Sequence, residues 1–135
     1  MKKIGLILAV SIISLPLLAK NFSVVRFFIP TIETPSFAWT MTTHDFGKIK
    51  LNVPVSHEFR FTNSGDAPLV ISSVQASCGC TVTDYSKDPI APGAEGYVKA
   101  TYNAAKVGVF TKTVTVTANA EESVVQLSIK GEVVE

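Results

Sequence analysis

Val53-Pro54-Val55-Ser56-His57-Glu58-Phe59-Arg60-Phe61-Thr62 alternates between two kinds of residue. Val53, Val55, His57, Phe59 and Phe61 fall on one side of an extended chain, and Ser56, Glu58, Arg60 and Thr62 on the other. That period of two is the signature of a half-buried β-strand. Pro54 is compatible with it, because a proline at the start of a strand sacrifices no ladder hydrogen bond. Segments downstream repeat the pattern. Val98, Ala100 and Tyr102 form one inner set; Phe110, Val114 and Val116 oppose Thr111, Thr113, Thr115 and Thr117; Val125, Leu127, Ile129 and Val133 oppose Gln126, Ser128, Lys130 and Glu132. Leu69-Val70-Ile71 opens another core strand that runs on through Val74 and Ala76, and His44 to Ile49 offers a short one.

Clusters of turn-forming residues separate these runs, among them Asn63-Ser64-Gly65-Asp66-Ala67-Pro68, Asp88-Pro89-Ile90-Ala91-Pro92-Gly93 and Asn119-Ala120-Glu121-Glu122. About seven strands at turn spacings of about 8–12 residues, with no helical period after Thr40, predict an all-β, immunoglobulin-like antiparallel sandwich. It is expected over residues 41–135. The Cys…Trp…Cys core of antibody domains is missing, so apolar burial has to hold this one together.

The N-terminus has a different texture. Met1-Lys2-Lys3 precedes a nearly unbroken apolar run from Ile4 to Ala19, a positive region and hydrophobic region of the export type. The run contains Pro16 and is shorter than the roughly 20 residues a spanning helix needs, which favours a cleaved signal over an uncleaved anchor. Residues 1–19 are therefore read as a signal peptide, its hydrophobic run a helix preceding the sandwich, whose end extends to 38 if Ser36-Phe37-Ala38 is the cut site, and 20–40 as a tether. An exported protein in the periplasm, the cell envelope or outside the cell is expected, touching membrane only through this segment if it is retained. The first 40 residues carry four basic groups against one acidic, and the rest eight against ten, so the domain itself has a net charge of −2. Such a balance lacks the basic stripe that phosphate neutralisation requires, and nucleic acid is disfavoured as a partner.

Both cysteines lie in Ser77-Cys78-Gly79-Cys80-Thr81 and share the even parity of Val74 and Val82, so extended backbone would put both sulfurs on one face with those valines. An exported setting makes a disulfide the default state of two nearby thiols. In a straight strand the two Cα atoms would stand nearly 7 Å apart, from a rise of roughly 3.3–3.4 Å per residue, at the limit of disulfide geometry. Gly79 is expected to kink the chain through positive φ and close the ring. A ring this small stabilises by roughly 1–2 kcal/mol at most, so it serves local rigidity or chemistry better than it serves the fold. Three readings stay open: a structural disulfide or inert thiols, a soft-metal site for Cu(I) or half of a Zn(II) site on Cys78 and Cys80, and thiol–disulfide exchange. Exchange needs a thiolate-stabilising cation, and the nearest in sequence is Lys87. His57 and His44 are the possible additional metal ligands, and otherwise strand histidines. Asp84 and Asp88 read as turn formers. No nucleophile–histidine motif or phosphate-cradling loop is present, so no catalytic residue is assigned.

His44-Asp45-Phe46-Gly47, Phe59-Arg60-Phe61-Thr62-Asn63, Ser77-Cys78-Gly79-Cys80-Thr81, Ile90-Ala91-Pro92-Gly93 and Gly108-Val109-Phe110 resemble, in order and spacing, the bacterial domain of unknown function 1573 family. The resemblance runs from Thr43 to Val134. It implies an exported or envelope-associated immunoglobulin-like sandwich, similar to domains of cell-surface and ciliary proteins, and no settled activity. A non-enzymatic module that binds or organises an envelope or surface protein follows as the leading expectation. The loop Cys78, Gly79, Cys80 and Thr81 is its functional feature; metal binding stands second and thiol–disulfide exchange third.

Overall fold

The computed structural model describes Ile13, Ser14 and Val24–Glu135. The chain divides into two units, Met1–Pro30 and Thr31–Glu135. In the first, Val24 to Pro30 has no regular structure, and Val24, Val25, Phe27, Phe28 and Ile29 are exposed. The hydrophobic signal helix expected within residues 1–19 falls almost wholly outside the described residues.

The second unit is all-β. Its strands are β1 (Phe37–Trp39), β2 (Thr43–Lys50), β3 (Val55–Asn63), β4 (Ile71–Ala76), β5 (Thr81–Tyr85), β6 (Glu95–Tyr102), β7 (Gly108–Ala118) and β8 (Val124–Val134). One sheet has the order β1-β3-β6-β5 and the other β2-β8-β7-β4. The two pack face to face as an immunoglobulin-like sandwich. The inner sets read from the alternation are the core: Phe59 and Phe61 of β3, Val98 and Ala100 of β6, Val114 and Val116 of β7, and Leu127 and Ile129 of β8 are almost wholly buried. Burying each of the larger of these side chains contributes about 1.5–3 kcal/mol.

Three expectations need correction. The stretch read as a tether joins the fold at its end: Phe37, Ala38 and Trp39 pair with Asn63, Thr62 and Phe61 as β1. Phe37 and Trp39 stack on each other with ring centroids 4.9 Å apart, and both contact Phe61, at 4.8 and 4.9 Å. Those aromatic contacts hold in the sheet a segment too short to show a period.

The second correction is one of direction. β2 lies parallel to β8, so that sheet is mixed. Alternation says which side chains go inward and carries no information about which way a neighbour runs. Between Asp45 and Lys48 the β2–β8 register slips by one residue. Asp45 Oδ1 accepts the Gly47 N–H at 2.8 Å, and Gly47 takes φ +66° there, a bulge geometry that glycine adopts without strain.

The third concerns the cysteines. β4 ends at Ala76, residues 77–80 turn, and the chain enters the opposite sheet at Thr81. The inward parity that linked Val74 to Val82 is lost in the turn. Thr81 is buried instead, and Val82 is 69 % exposed.

Candidate functional site: the crossover loop and its surroundings

The loop Ser77–Thr81 is the strap by which the chain passes from the edge of one sheet to the edge of the other. Each end is clasped. On the β4 side, Ser77 N–H donates to Thr113 C=O at 2.8 Å, and Ser77 Oγ accepts from Thr113 N–H at 3.2 Å. On the β5 side, Asn103 N–H donates to Cys80 C=O at 3.1 Å. Thr81 N–H closes the turn onto Cys78 C=O at 3.4 Å. Cys78 and Cys80 are joined by a disulfide with their Cα atoms 5.3 Å apart, inside the usual range and shorter than a straight strand would give. Gly79 does not take positive φ, contrary to expectation, and a Cβ on it would meet nothing within 4 Å. The turn alone brings the cysteines together.

Cys80 packs against the core, Cys78 is half-buried and Gly79 is exposed. The Cys78 sulfur lies 4.0 Å from Thr81 Oγ1, a neutral hydroxyl that does little to stabilise a thiolate. Lys87, the cation nearest in sequence, is engaged elsewhere: its Nζ sits 3.3 Å over the Tyr85 ring, at the far end of β5. Replacing both cysteines by serine is expected to leave the sandwich folded and to lower its stability by about 1–2 kcal/mol, measured by chemical unfolding. A loss above about 4 kcal/mol would make the ring a staple of the fold.

His44 and His57 come together from opposite sheets. Their rings stack 3.8 Å apart and 6° from parallel, with Phe46 edge-on to His44 at 4.6 Å and Phe59 edge-on to His57 at 4.7 Å. Parallel rings aim their in-plane nitrogen lone pairs side by side instead of converging on one ion. No group of three or more His, Cys, Asp or Glu placed to hold a metal occurs among the described residues. Burial, and then the neighbouring His44, push the His57 pKa below its ordinary 6.5 against an upward pull from Glu58. The unfolded chain therefore protonates first as pH falls. The stability linked to His57 is complete above about 6.5 and is lost as pH drops through the lower folded-state value. Thermal unfolding between pH 7.5 and 5 should show that loss, and His57→Gln should flatten it.

Of the acidic residues near the loop in sequence, Asp84 accepts a hydrogen bond from the Tyr97 hydroxyl at 3.3 Å. The Asp84 charge raises the Tyr97 pKa above 10, the wrong direction for a base. Asp84, Tyr85, Lys87, Asp88 and Tyr97 border an open depression of about 580 Å³ on the far side of β5 from the cysteines.

Sequence reasoning passed over one further residue of this region. Asn63, assigned to a turn, is wholly buried. Its Nδ2 donates to Ala67 C=O at 2.8 Å and Ile90 C=O at 2.9 Å, and its Oδ1 accepts from Ser36 N–H at 3.2 Å and Gly65 N–H at 3.0 Å. The signal was its parity, since Asn63 continues the inward series of Phe59 and Phe61.

Solved structures share this architecture. A protein of unknown function from Porphyromonas gingivalis W83 is 16 % identical with a TM-score of 0.66, over 74 % of this chain and 47 % of that one. A PapD-like (ASH) domain of human CEP192 is 8 % identical with a TM-score of 0.63, over 85 % of this chain and 98 % of the domain. The secreted serine protease VesC of Vibrio cholerae is 14 % identical with a TM-score of 0.56, over 73 % and 23 %. The chain thus spans about half of the Porphyromonas protein and about a quarter of the protease, and these likenesses are of fold. No curated protein matches the chain. The sequence model of one family does match, over residues 37–133, and the chain belongs to that family, the proteins of unknown function DUF1573.

Proposed function

We propose that this is an exported, non-enzymatic module that binds or organises a protein of the cell envelope or surface through the rim formed by the crossover loop. The observation that carries the reading is the loop itself: a disulfide ring clasped to both sheets, exposing Gly79, with a neutral hydroxyl as the side-chain neighbour of Cys78. A fixed, uncharged protrusion suits recognition, because a surface ordered in advance loses little entropy on binding. The export-type N-terminus beginning Met1-Lys2-Lys3 supports the envelope setting.

The test is photo-crosslinking in the producing cell from single positions replaced by a photoreactive residue: exposed Gly79, Val82 and Val109. A discrete protein adduct from at least one position is expected. Absence of any adduct from all three positions overturns the reading. Cu(I) uptake or insulin reduction by the reduced protein, lost on Cys78→Ser, would instead favour metal handling or thiol–disulfide exchange.

A further inference from the structure

β4 stops short of covering β7. The β4–β7 register ends at Ala76 opposite Val114, with one more clasp from Ser77 to Thr113, whereas β7 continues against β8 to Gly108 opposite Val133. Thr113 directs its N–H and C=O toward β4, so the odd residues of β7 face that side and the even ones face β8. Once the chain has left through the crossover loop, Val109 and Thr111 point their N–H and C=O groups at a vacated edge. Among the described residues no strand pairs with β7 on that side beyond Val114, and no loop or side-chain hydrogen bond reaches these four groups.

The vacated edge borders a cleft of about 370 Å³ lined by Tyr102, Lys106, Val107, Val109, Thr111 and Lys112, with no acidic residue in its wall. Lys112 occupies an inward position of β7 between buried Phe110 and Val114, is half-buried, and has no acidic partner among the described residues. Outside the cleft, Glu132 and Lys130 of β8 stand opposite Val109 and Thr111 and offset each other. The lining is thus locally positive on a domain whose net charge is −2.

We propose that the β7 edge around Val109 and Thr111 accepts an extended acidic segment of the partner protein as an added β-strand. This rests on the binding-module reading and names its site and ligand chemistry. Four main-chain groups supply the ladder bonds, and the ammonium groups of Lys106 and Lys112 select an acidic strand over a neutral or basic one. Edge lysines also discourage pairing between copies of one chain, and an acidic strand is the kind that satisfies them. The Cys78–Cys80 ring fixes the point at which the chain departs and leaves the edge open.

The full-length, isotope-labelled protein can be titrated with a capped heptapeptide alternating glutamate and valine, and with one alternating lysine and valine, following backbone amide shifts. The acidic peptide should bind at least tenfold more tightly, with shifts centred on Val109 and Thr111. Thr111→Pro removes an edge N–H while leaving the bonds of Phe110 and Lys112 to β8, and should weaken binding at least tenfold. Lys106→Glu with Lys112→Glu should do the same and does not depend on tolerating a proline. Equal affinity for both peptides, no binding, shifts on another edge unaffected by these variants, or dimerisation through β7 would each overturn the proposal. If it fails while crosslinks form from Gly79 or Val82, the edge is wrong and the module reading stands; if no position crosslinks, that reading fails as well.

Discussion

Replacing Asn63 by alanine should lower the stability of the sandwich by about 3 kcal/mol and its Tm by roughly 15 °C. The amide is wholly buried and makes four hydrogen bonds to backbone groups of Ser36, Gly65, Ala67 and Ile90. Its removal leaves the Ala67 carbonyl without a donor and the Ser36 and Gly65 N–H groups without acceptors, while the Ile90 carbonyl loses one of two donors and keeps the Leu69 N–H at 2.9 Å. Each unsatisfied buried group costs about 1–3 kcal/mol less whatever water can supply. The backbone of Asn63 adds to the convergence, donating to Ala94 C=O at 2.9 Å and accepting from Gly93 N–H at 2.7 Å. Three separate stretches therefore meet at one residue: the lead into β1, the turn after β3, and the loop before β6. Chemical unfolding with a midpoint shift at unchanged slope checks the figure. A cost under 1 kcal/mol would mean that the network is replaced by water.

Phe61→Ala is expected to cost about 3–5 kcal/mol, the range for deleting a buried ring. Phe61 is 1 % exposed, and its ladder partner is Gly96, where a Cβ would come within 2.7 Å of Ile90 Cδ1. The ring fills the space that the glycine leaves, and on its other side it seats Phe37 and Trp39. The same variant should therefore loosen β1. Trp39 is the sole tryptophan, so a red shift of its emission in protein that is still folded would report the loss of that seat. Unchanged emission would show that β1 is held by its hydrogen bonds alone.

Much of the fold was legible because burial imposes a period of two. The inward series of β6, β7 and β8 are found inside, as are Phe59 and Phe61 of β3, whereas Val55 and His57 are half-buried and Val53, read on the same side, is exposed ahead of the strand. β1 was not: three residues cannot display a period, and its place depends on the contact of Phe37 and Trp39 with Phe61. Nor was the parallel β2–β8 pairing, which joins strands about 80 residues apart without leaving a mark on either. The candidate site was half legible. Both cysteines stood out by type, yet the turn that closes them reverses the parity on which their placement was argued, so Thr81 goes inside and Val82 outside. The open edge had one visible sign, Lys112 among inward apolar residues of β7, whose meaning depends on where β4 ends.

The crossover that opens β7 predicts a pattern that amide hydrogen exchange on the full-length protein, free of partner, can read directly. The amides of Val109 and Thr111 should exchange quickly while those of Phe110 and Lys112, bonded to β8, are protected, an alternation that disappears from Thr113 onward. Equal protection at all four would show the edge already covered and would contradict the binding site assigned to it.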